Sequence, residues 1–179
     1  MGDRTLNSSR LIFKIMTPDD LEAFYDIVKL DDVGRWLASG RGKTKDEALA
    51  KILSYRESFD KSDYGVWGVW EKSSDRLIGQ AGLLLTDDRE VELLYALAPE
   101  FWHAGYGSEC AVRVRDYAFE VLNLTRVVAY ARPDNERSVR VLEKCGMRPA
   151  GIKDYHNVRM RYYIIDREKW INEKVSDQY

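Results

Sequence analysis

The apolar positions along this chain change period several times, and each change predicts an element. Leu11, Phe13 and Ile15 alternate with Ile12 and Lys14, and this period of two predicts a first strand. Thr17-Pro18-Asp19-Asp20 predicts the start of a helix, because it offers a hydroxyl cap, a proline in the first turn and acids near the positive end of the dipole. Thr44 and Glu47 form the pattern of a capping box, which predicts a second helix.

The middle of the chain then reads as strands. Tyr64–Trp70 is rich in β-formers, and Leu77–Leu85 is a nearly continuous apolar run. Asp87-Asp88 predicts a turn into a further strand at Val91–Leu97. These three segments predict an antiparallel meander.

The second half alternates helices with strands. A strongly amphipathic helix is indicated by apolar residues at helical intervals: Cys110, Ala111, Val114, Tyr117, Ala118, Val121 and Leu122. Arg126–Ala131 predicts a buried strand, and Asp134–Cys145 predicts a helix that ends at Gly146. Val158–Ile165 predicts a last strand, followed by a tail near Trp170.

The predicted order is β-α-α-β-β-β-α-β-α-β-β. One β-α-β crossover implies one parallel pair within a mostly antiparallel sheet. Helices on both faces of such a mixed sheet make a three-layer α/β (α+β) fold. The chain shows no linker and no repeat, so we expect a single domain over residues 1–179 with its core at about 10–170.

Composition narrows the classes of function. The 179 residues carry a net charge of -2, which gives no reason to expect a nucleic-acid partner. Two cysteines, Cys110 and Cys145, and two histidines lie in no metal-ligand spacing, so we expect no metal. No signal-peptide or membrane-span pattern is present, and we expect a cytoplasmic protein without a membrane partner.

Trp102–Ser108 lies between a strand and the strongest predicted helix. Gly105 and Gly107 allow the backbone to approach a ligand closely, and the N–H groups of the following helix can hold a phosphate. The alternative is a tight connection without a ligand. The segment is neither a P-loop nor a dinucleotide fingerprint. A second segment starts the last helix, where Asn135 and Ser138 share a face; the alternative there is a cap and a surface serine.

Together these segments resemble the GNAT superfamily of acetyltransferases. The coenzyme A loop of that superfamily, Q/R-x-x-G-x-G/A, is matched from Trp102 to Gly107 except at its first position. Tryptophan there is similar to the branch that acetylates the N-termini of ribosomal proteins. The same branch carries E-N-x-x-S-x-x-V-L-E-K-x-G, which Asn135–Gly146 resembles almost throughout, with Asp134 in place of the glutamate.

Both ends of the chain also resemble that branch. The opening pattern R-L-x-x-R-x-x-T-x-x-D is similar to Arg10 through Asp20, although Lys14 stands at the second arginine. The closing pattern Y-x-I-x-R-x-x-W is similar to Tyr163 through Trp170. The resemblance implies a GNAT-like fold and acetyl-coenzyme A as cosubstrate. It also makes a homodimer one possible assembly.

The resemblance further implies direct transfer of acetyl from the thioester to an amine. The residues it implies at the cofactor are Leu97, Ala98, Trp102, His103, Ala104, Gly105, Tyr106, Gly107, Ser108, Asn135, Ser138 and Lys144. Backbone N–H groups around Leu97 and Ala98 would polarise the thioester carbonyl.

Two side chains are the candidate catalytic residues. Glu92 lies on the strand before the cofactor loop and is the candidate base that takes a proton from the amine; the alternative is a solvated strand glutamate. Many relatives use a tyrosine where this chain has Leu142, so Ser138 is the candidate donor to the departing thiolate.

Three functions remain open from the residues alone. The favoured acceptor is a protein N-terminal α-amine. An aminoglycoside, a polyamine or another small amine is the second possibility, and an acidic acceptor pocket would favour it. The third is a module that binds acyl-coenzyme A without turnover, which the missing tyrosine at Leu142 motivates.

Overall fold

Residues 4–176 of this computed structural model build one eight-stranded sheet with helices on both faces. The strands are β1 (Leu6–Asn7), β2 (Leu11–Lys14), β3 (Val66–Glu71), β4 (Arg76–Leu85), β5 (Val91–Leu97), β6 (Arg126–Ala131), β7 (Arg148–Tyr155) and β8 (Val158–Asp166). The helices are α1 (Leu21–Val28), α2 (Asp31–Gly34), α3 (Lys45–Lys61), α4 (Tyr106–Glu120), α5 (Glu136–Lys144) and α6 (Arg167–Ser176).

The sheet is mixed, as the order of elements predicted. Its strand order is β1-β2-β3-β4-β5-β6-β8-β7, and the neighbours are antiparallel except for β5 and β6, which run parallel. Helix α4 makes the connection between these two strands. The predicted three-layer α/β fold with one parallel crossover is therefore confirmed.

The predicted helix ends rest on local chemistry that the structure reproduces. Thr44 Oγ1 accepts a hydrogen bond from the Glu47 N–H, and the Glu47 carboxylate accepts one from the Thr44 N–H. Gly146 follows α5 with φ of +80°, a left-handed conformation that costs glycine little. The short elements β1 and α2 were not predicted, because two to four residues are too few to show a period.

Strand β5 separates the two helical layers. Leu93 and Leu97 pack in the core cluster beneath α4, whereas Leu94 packs against the cluster that contains α1 and α3. Successive strand residues point to opposite faces, so α3 and α4 lie on opposite sides of the sheet. Within residues 4–176, no helix is both long enough and apolar enough to cross a membrane.

Glu109, in the first turn of α4, ties the start of the chain to this helix. Its carboxylate accepts hydrogen bonds from Ser8 Oγ at 2.7 Å, from the Arg10 N–H at 2.8 Å and from Arg10 Nε at 2.8 Å. Arg10 Nη1 also donates to the Ala104 carbonyl at 2.9 Å. The turn between β1 and β2 thereby supports the loop that precedes α4.

Replacing Glu109 with Gln should destabilise the protein by about 1–3 kcal/mol, because the neutral amide leaves charged and neutral donors poorly satisfied. Burial alone would raise the pKa of Glu109, but hydrogen bonds from Ser8 and Arg10 outweigh it and hold the pKa below its ordinary value. The stability difference is therefore present at neutral pH and shrinks as pH falls below about 4. Urea unfolding at pH 7 and pH 3.5 measures it.

The control is Glu120→Gln at the other end of α4, where the carboxylate forms an exposed pair with Lys174. Exposed pairs contribute little, so this variant should match the parent at both pH values. Equal losses in the two variants would contradict an anchoring role for Glu109.

Candidate functional site

Strands β5 and β6 pair over a very short stretch. The two strands are in register only at Glu92 and Val128. Beyond this point residues 94–97 of β5 have no backbone partner on β6, and a cavity of about 760 Å³ occupies the gap. Side chains from both helical layers reach the cavity, because the gap passes through the sheet.

Unused backbone groups of β5 face this gap. Along a strand in an antiparallel pair, residues alternate: the backbone N–H and C=O of one residue bond the neighbouring strand, and those of the next residue point away from it. Ala98 donates its N–H to the Ile78 carbonyl at 2.9 Å, so the N–H groups of Leu97 and Tyr95 point away from β4 and toward the gap. The expectation that the Ala98 N–H polarises a thioester is wrong, because that N–H is already bonded. Leu97 keeps the expected orientation, and Tyr95 is an additional donor.

The glycine loop forms one wall of the cavity. Gly105 has φ of +83° and caps the N-terminus of α4, a backbone conformation that a side chain would strain. A Cβ on Gly107 would lie 3.2 Å from the Tyr95 ring, so glycine also gives that ring its room. The first N–H groups of α4 have no partner within the helix and suit an anion.

Side chains around the loop hold it in place. Trp102 Nε1 donates to the Leu97 carbonyl at 2.9 Å, and the Arg137 guanidinium lies 4.3 Å from the centre of the Trp102 ring. His103 adopts φ of +65° and lies on the cavity wall. The side chain of Tyr106 turns away and bonds Glu71, so only its backbone remains a candidate contact. Ala98 and Ala104 likewise do not line the cavity, unlike the remaining residues predicted at the cofactor.

Helix α5 brings Asn135 and Ser138 to the same wall. Asn135 Oδ1 accepts a hydrogen bond from the Ser138 N–H at 3.2 Å, so Asn135 caps the helix and lines the cavity as well. The Tyr95 hydroxyl donates to Ser138 Oγ at 3.2 Å. Burial raises the pKa of Tyr95 to about 12, which keeps the hydroxyl protonated. Lys144, at the end of α5, also borders the cavity.

Glu92 lies at the narrow end of the gap and is a buried carboxyl with 6% of its surface exposed. Burial raises its pKa to about 7, although a hydrogen bond from the Tyr155 hydroxyl and the charge of Lys51 act in the opposite direction. The expectation of a solvated strand glutamate does not fit this burial. A carboxyl with a pKa near neutrality is suited to exchange protons at physiological pH.

The cavity also has polar lining residues outside the predicted site, and one of them, Gln80, lies beside Tyr55 of α3. Gln80 is only 4% exposed, and its Oε1 has no hydrogen-bond partner among residues 4–176. The indole N–H of Trp36 also lacks a partner there. Lys43, Lys51 and the two groups above all border the cavity. A polar residue inside the apolar run Leu77–Leu85 was the one signal in the sequence.

This cavity defines a class of protein. A helix N-terminus behind a glycine loop suits the phosphates of a large cofactor, and the open edge of β5 suits a chain that bonds backbone groups. A buried carboxyl at the end of that channel suits a reaction that removes a proton. These features are those of an acyltransferase that uses a coenzyme A thioester.

Comparisons with known proteins agree. The acetyltransferase (GNAT) domain family matches residues 10–148. The chain is 30% identical to "Uncharacterized N-acetyltransferase YoaA" of Bacillus subtilis (strain 168) over 149 residues, which are 82% of this chain and 84% of the relative. The chain therefore belongs to the GNAT family. It is an N-acetyltransferase that uses acetyl-coenzyme A.

Solved structures share the fold. Ribosomal-protein-S5-alanine acetyltransferase from Vibrio fischeri superposes with a TM-score of 0.76 at 17% identity, covering 94% of this chain and 99% of that one. Spermidine N-acetyltransferase from Vibrio cholerae, in complex with CoA and spermine, gives 0.76 at 20% identity, covering 92% and 100%. These two proteins act on different amines, so their common fold leaves the acceptor open.

Replacing Glu92 with Gln should change how stability depends on pH. The native pKa of about 7 lies above the unfolded value of about 4.5, so the native state holds this proton more tightly. The contribution of Glu92 to stability is full below pH 4.5 and is lost as pH rises through 7. Relative to the parent, the Gln variant should gain roughly 2–3 kcal/mol between pH 5 and pH 8. Thermal or urea unfolding across this range measures the gain.

Glu90→Gln is the matched control, because Glu90 lies two residues away on the same side of the chain and its carboxylate pairs with Lys153 at 2.7 Å. The pKa of Glu90 is lowered, since its bonds with Lys153 and Tyr162 outweigh burial. This variant should lose stability, relative to the parent, as pH rises. A parallel response of both variants would contradict the assignment for Glu92.

Proposed function

We propose that this enzyme acetylates the α-amine at the N-terminus of a peptide or protein, as enzymes of the ribosomal-protein branch do. The observation that carries the proposal is the presence of two unpaired polar groups that border the cavity. Gln80 offers an unpaired carbonyl oxygen and Trp36 an unpaired N–H. A peptide backbone presents the complementary N–H and C=O groups next to its α-amine.

The charges of the cavity argue against a polyamine acceptor. Glu92 is the one carboxylate among the residues that line it, whereas Lys43 and Lys51 lie on the same side. A polyamine with several positive charges would meet repulsion there and find a single counter-charge. A protein α-amine has one charge and a lower pKa than a lysine side chain, so it loses its proton more readily.

The cofactor side has the groups that acetyl-coenzyme A requires. The N–H groups at the start of α4, with Lys144 nearby, would hold the phosphates, and the open edge of β5 would bond the pantetheine arm. Bound there, the thioester supplies an activated acetyl group. The N–H groups of Leu97 and Tyr95 face the gap and would polarise its carbonyl.

Glu92 would act as the base. Its carboxylate accepts the proton that the amine loses as the new C–N bond forms, directly or through a water molecule. With a pKa of about 7, Glu92 is partly ionised at neutral pH and can release the proton again. Tyr155 donates a hydrogen bond to the carboxylate and so fixes its orientation.

Ser138 would stabilise the thiolate left when the C–S bond breaks. A hydroxyl that accepts a hydrogen bond is a stronger donor through its own hydrogen, and Tyr95 supplies that bond at 3.2 Å. The pair Tyr95–Ser138 thus replaces the tyrosine that many relatives have at the position of Leu142. This arrangement removes the motive for a binding module without turnover.

An assay of acceptors tests the proposal. Peptides with a free N-terminus should be acetylated on the α-amine. Two comparison substrates should react at least 10-fold more slowly: peptides with a blocked N-terminus and an internal lysine, and spermidine. Glu92→Gln should lower kcat on the peptide by about 10²–10⁴-fold. Mass spectrometry locates the acetyl group. Faster turnover of spermidine would overturn the assignment of the acceptor.

A double-mutant cycle tests the pair Tyr95–Ser138. Tyr95→Phe should lower kcat about 10-fold and Ser138→Ala somewhat more, because each weakens donation to the thiolate. If Tyr95 acts only through Ser138, the double variant should equal Ser138→Ala alone. Tyr117→Phe is the control, since this hydroxyl bonds the Asp63 carbonyl away from the cavity and its loss should leave kcat unchanged. Additive losses would contradict the coupling.

A further inference from the structure

Two lysines on the acceptor side of the cavity lack counter-ions. Lys43 precedes α3 and Lys51 lies within it; both are half-buried and border the cavity. The Lys51 ammonium packs 5.7 Å from the centre of the Tyr55 ring. Across the part of the chain that the structure describes, neither lysine forms an ion pair, although most of their basic neighbours do.

Four carboxylates, one each on α1, α2, α3 and β5, are already engaged in other bonds. Glu47 binds Arg41 at 2.6 Å and accepts the Thr44 N–H at 2.8 Å. Asp31 accepts the Gly42 N–H at 2.9 Å. Glu22 pairs with Lys45, and Glu92 accepts from Tyr155. These bonds hold the carboxylates in the framework of the loop and helix. Glu47 and Glu92 interact with the lysines through charge, but among residues 4–176 neither Lys43 nor Lys51 has a carboxylate in ion-pair contact.

The two lysines also repel each other. Burial and then the charge of Lys51 lower the pKa of Lys43, which places the two ammonium groups within electrostatic reach. Two like charges held together in a partly buried place cost stability unless an anion joins them. A ligand that brings an anion to this wall would relieve both the repulsion and the missing counter-ions.

The phosphates of the cofactor are not that anion. The cations near the glycine loop come from α5, where Arg137, Arg140 and Lys144 border the cavity. Helix α3 lies on the opposite face of the sheet from α4, so Lys51 borders the cavity from the face on which the acceptor would bind, and Lys43 borders it just before the same helix. The charge of Lys51 also acts on Glu92, the proposed base, and Lys43, Lys51 and Glu92 all line the same cavity.

We infer that Lys43 and Lys51 form a subsite for a carboxylate near the reacting amine, so the preferred acceptor is an N-terminus with an acidic residue at its second or third position. The inference rests on the proposed acetylation of an α-amine and adds the charge of the acceptor. Two half-buried cations facing one carboxylate would discriminate acidic from neutral sequences by roughly 10–100-fold.

The test compares three amidated peptides that begin Ser-Asp-Asp, Ser-Asn-Asn and Ser-Lys-Lys and are otherwise identical. For the parent enzyme, kcat/KM for the Ser-Asp-Asp peptide should be at least 10-fold higher than for the Ser-Asn-Asn peptide. The Ser-Lys-Lys peptide should have the lowest kcat/KM. In the Lys43→Gln, Lys51→Gln double variant, the ratio of kcat/KM for the Ser-Asp-Asp peptide to that for the Ser-Asn-Asn peptide should be close to one. Because the ratio compares two peptides on one enzyme, a changed pKa of Glu92 cancels.

Lys45→Gln is the matched control. It removes the same charge from the same helix, but Lys45 pairs with Glu22 and does not border the cavity. This variant should keep the full preference for the acidic peptide. Unfolding of the double variant should show no loss of stability, since it removes a repulsion, and its KM for acetyl-coenzyme A should stay within about 3-fold of the parent.

The outcomes separate the two proposals. Acetylation of all three peptides at equal kcat/KM, or a preference that survives in the double variant, would overturn the carboxylate subsite and leave the α-amine proposal standing. Turnover of free amino acids but of none of the peptides, with the same dependence on the lysines, would support the subsite and overturn the peptide acceptor. A raised KM for acetyl-coenzyme A alone would assign the lysines to the cofactor and overturn the inference.

Discussion

The broken hydrogen-bond ladder between β5 and β6 is the constraint on which the site depends. A continuous ladder would satisfy every backbone group of β5 and close the sheet to any ligand. Because the strands are in register only at Glu92 and Val128, the N–H groups of Tyr95 and Leu97 are left for something else to bond. Buried backbone groups without partners are costly, so this edge is prepared for a ligand that carries its own polar atoms.

The gap also decides how chemistry is divided between the two faces of the sheet. Side chains alternate between the two faces of the sheet along β5. Because Glu92 and Tyr95 are three residues apart, an odd number, their side chains point to opposite faces. Only a gap through the sheet allows both to border one cavity. Glu92 therefore lies on the side of α3, whereas the hydroxyls of Tyr95 and Ser138 lie on the side of α5. Two reactants can enter from opposite faces and meet at the gap.

Local patterns in the sequence predicted much of this architecture because their physics is local. The capping box at Thr44, the glycine that caps α4 and the periodic face of α4 each depend on residues within one or two turns. The pairing of Tyr95 with Ser138 joins residues 43 positions apart, and no local pattern reports it. Which N–H groups of β5 are free depends on ladder register, so local patterns could not distinguish the bonded N–H of Ala98 from the N–H of Tyr95, which faces the gap.

Charge explains how one fold can serve different amines. The cofactor wall is built from backbone N–H groups and glycines, which many sequences can supply without changing the sheet. The proposed acceptor wall includes side chains of α3 and β4, among them the half-buried Lys51 and the buried Gln80. A pair of lysines there would favour an acidic acceptor, and a pair of carboxylates would instead favour a polyamine. On the proposals made above, a few side chains on one wall of the gap would decide the choice of acceptor, while the backbone on the other wall would hold the acetyl donor.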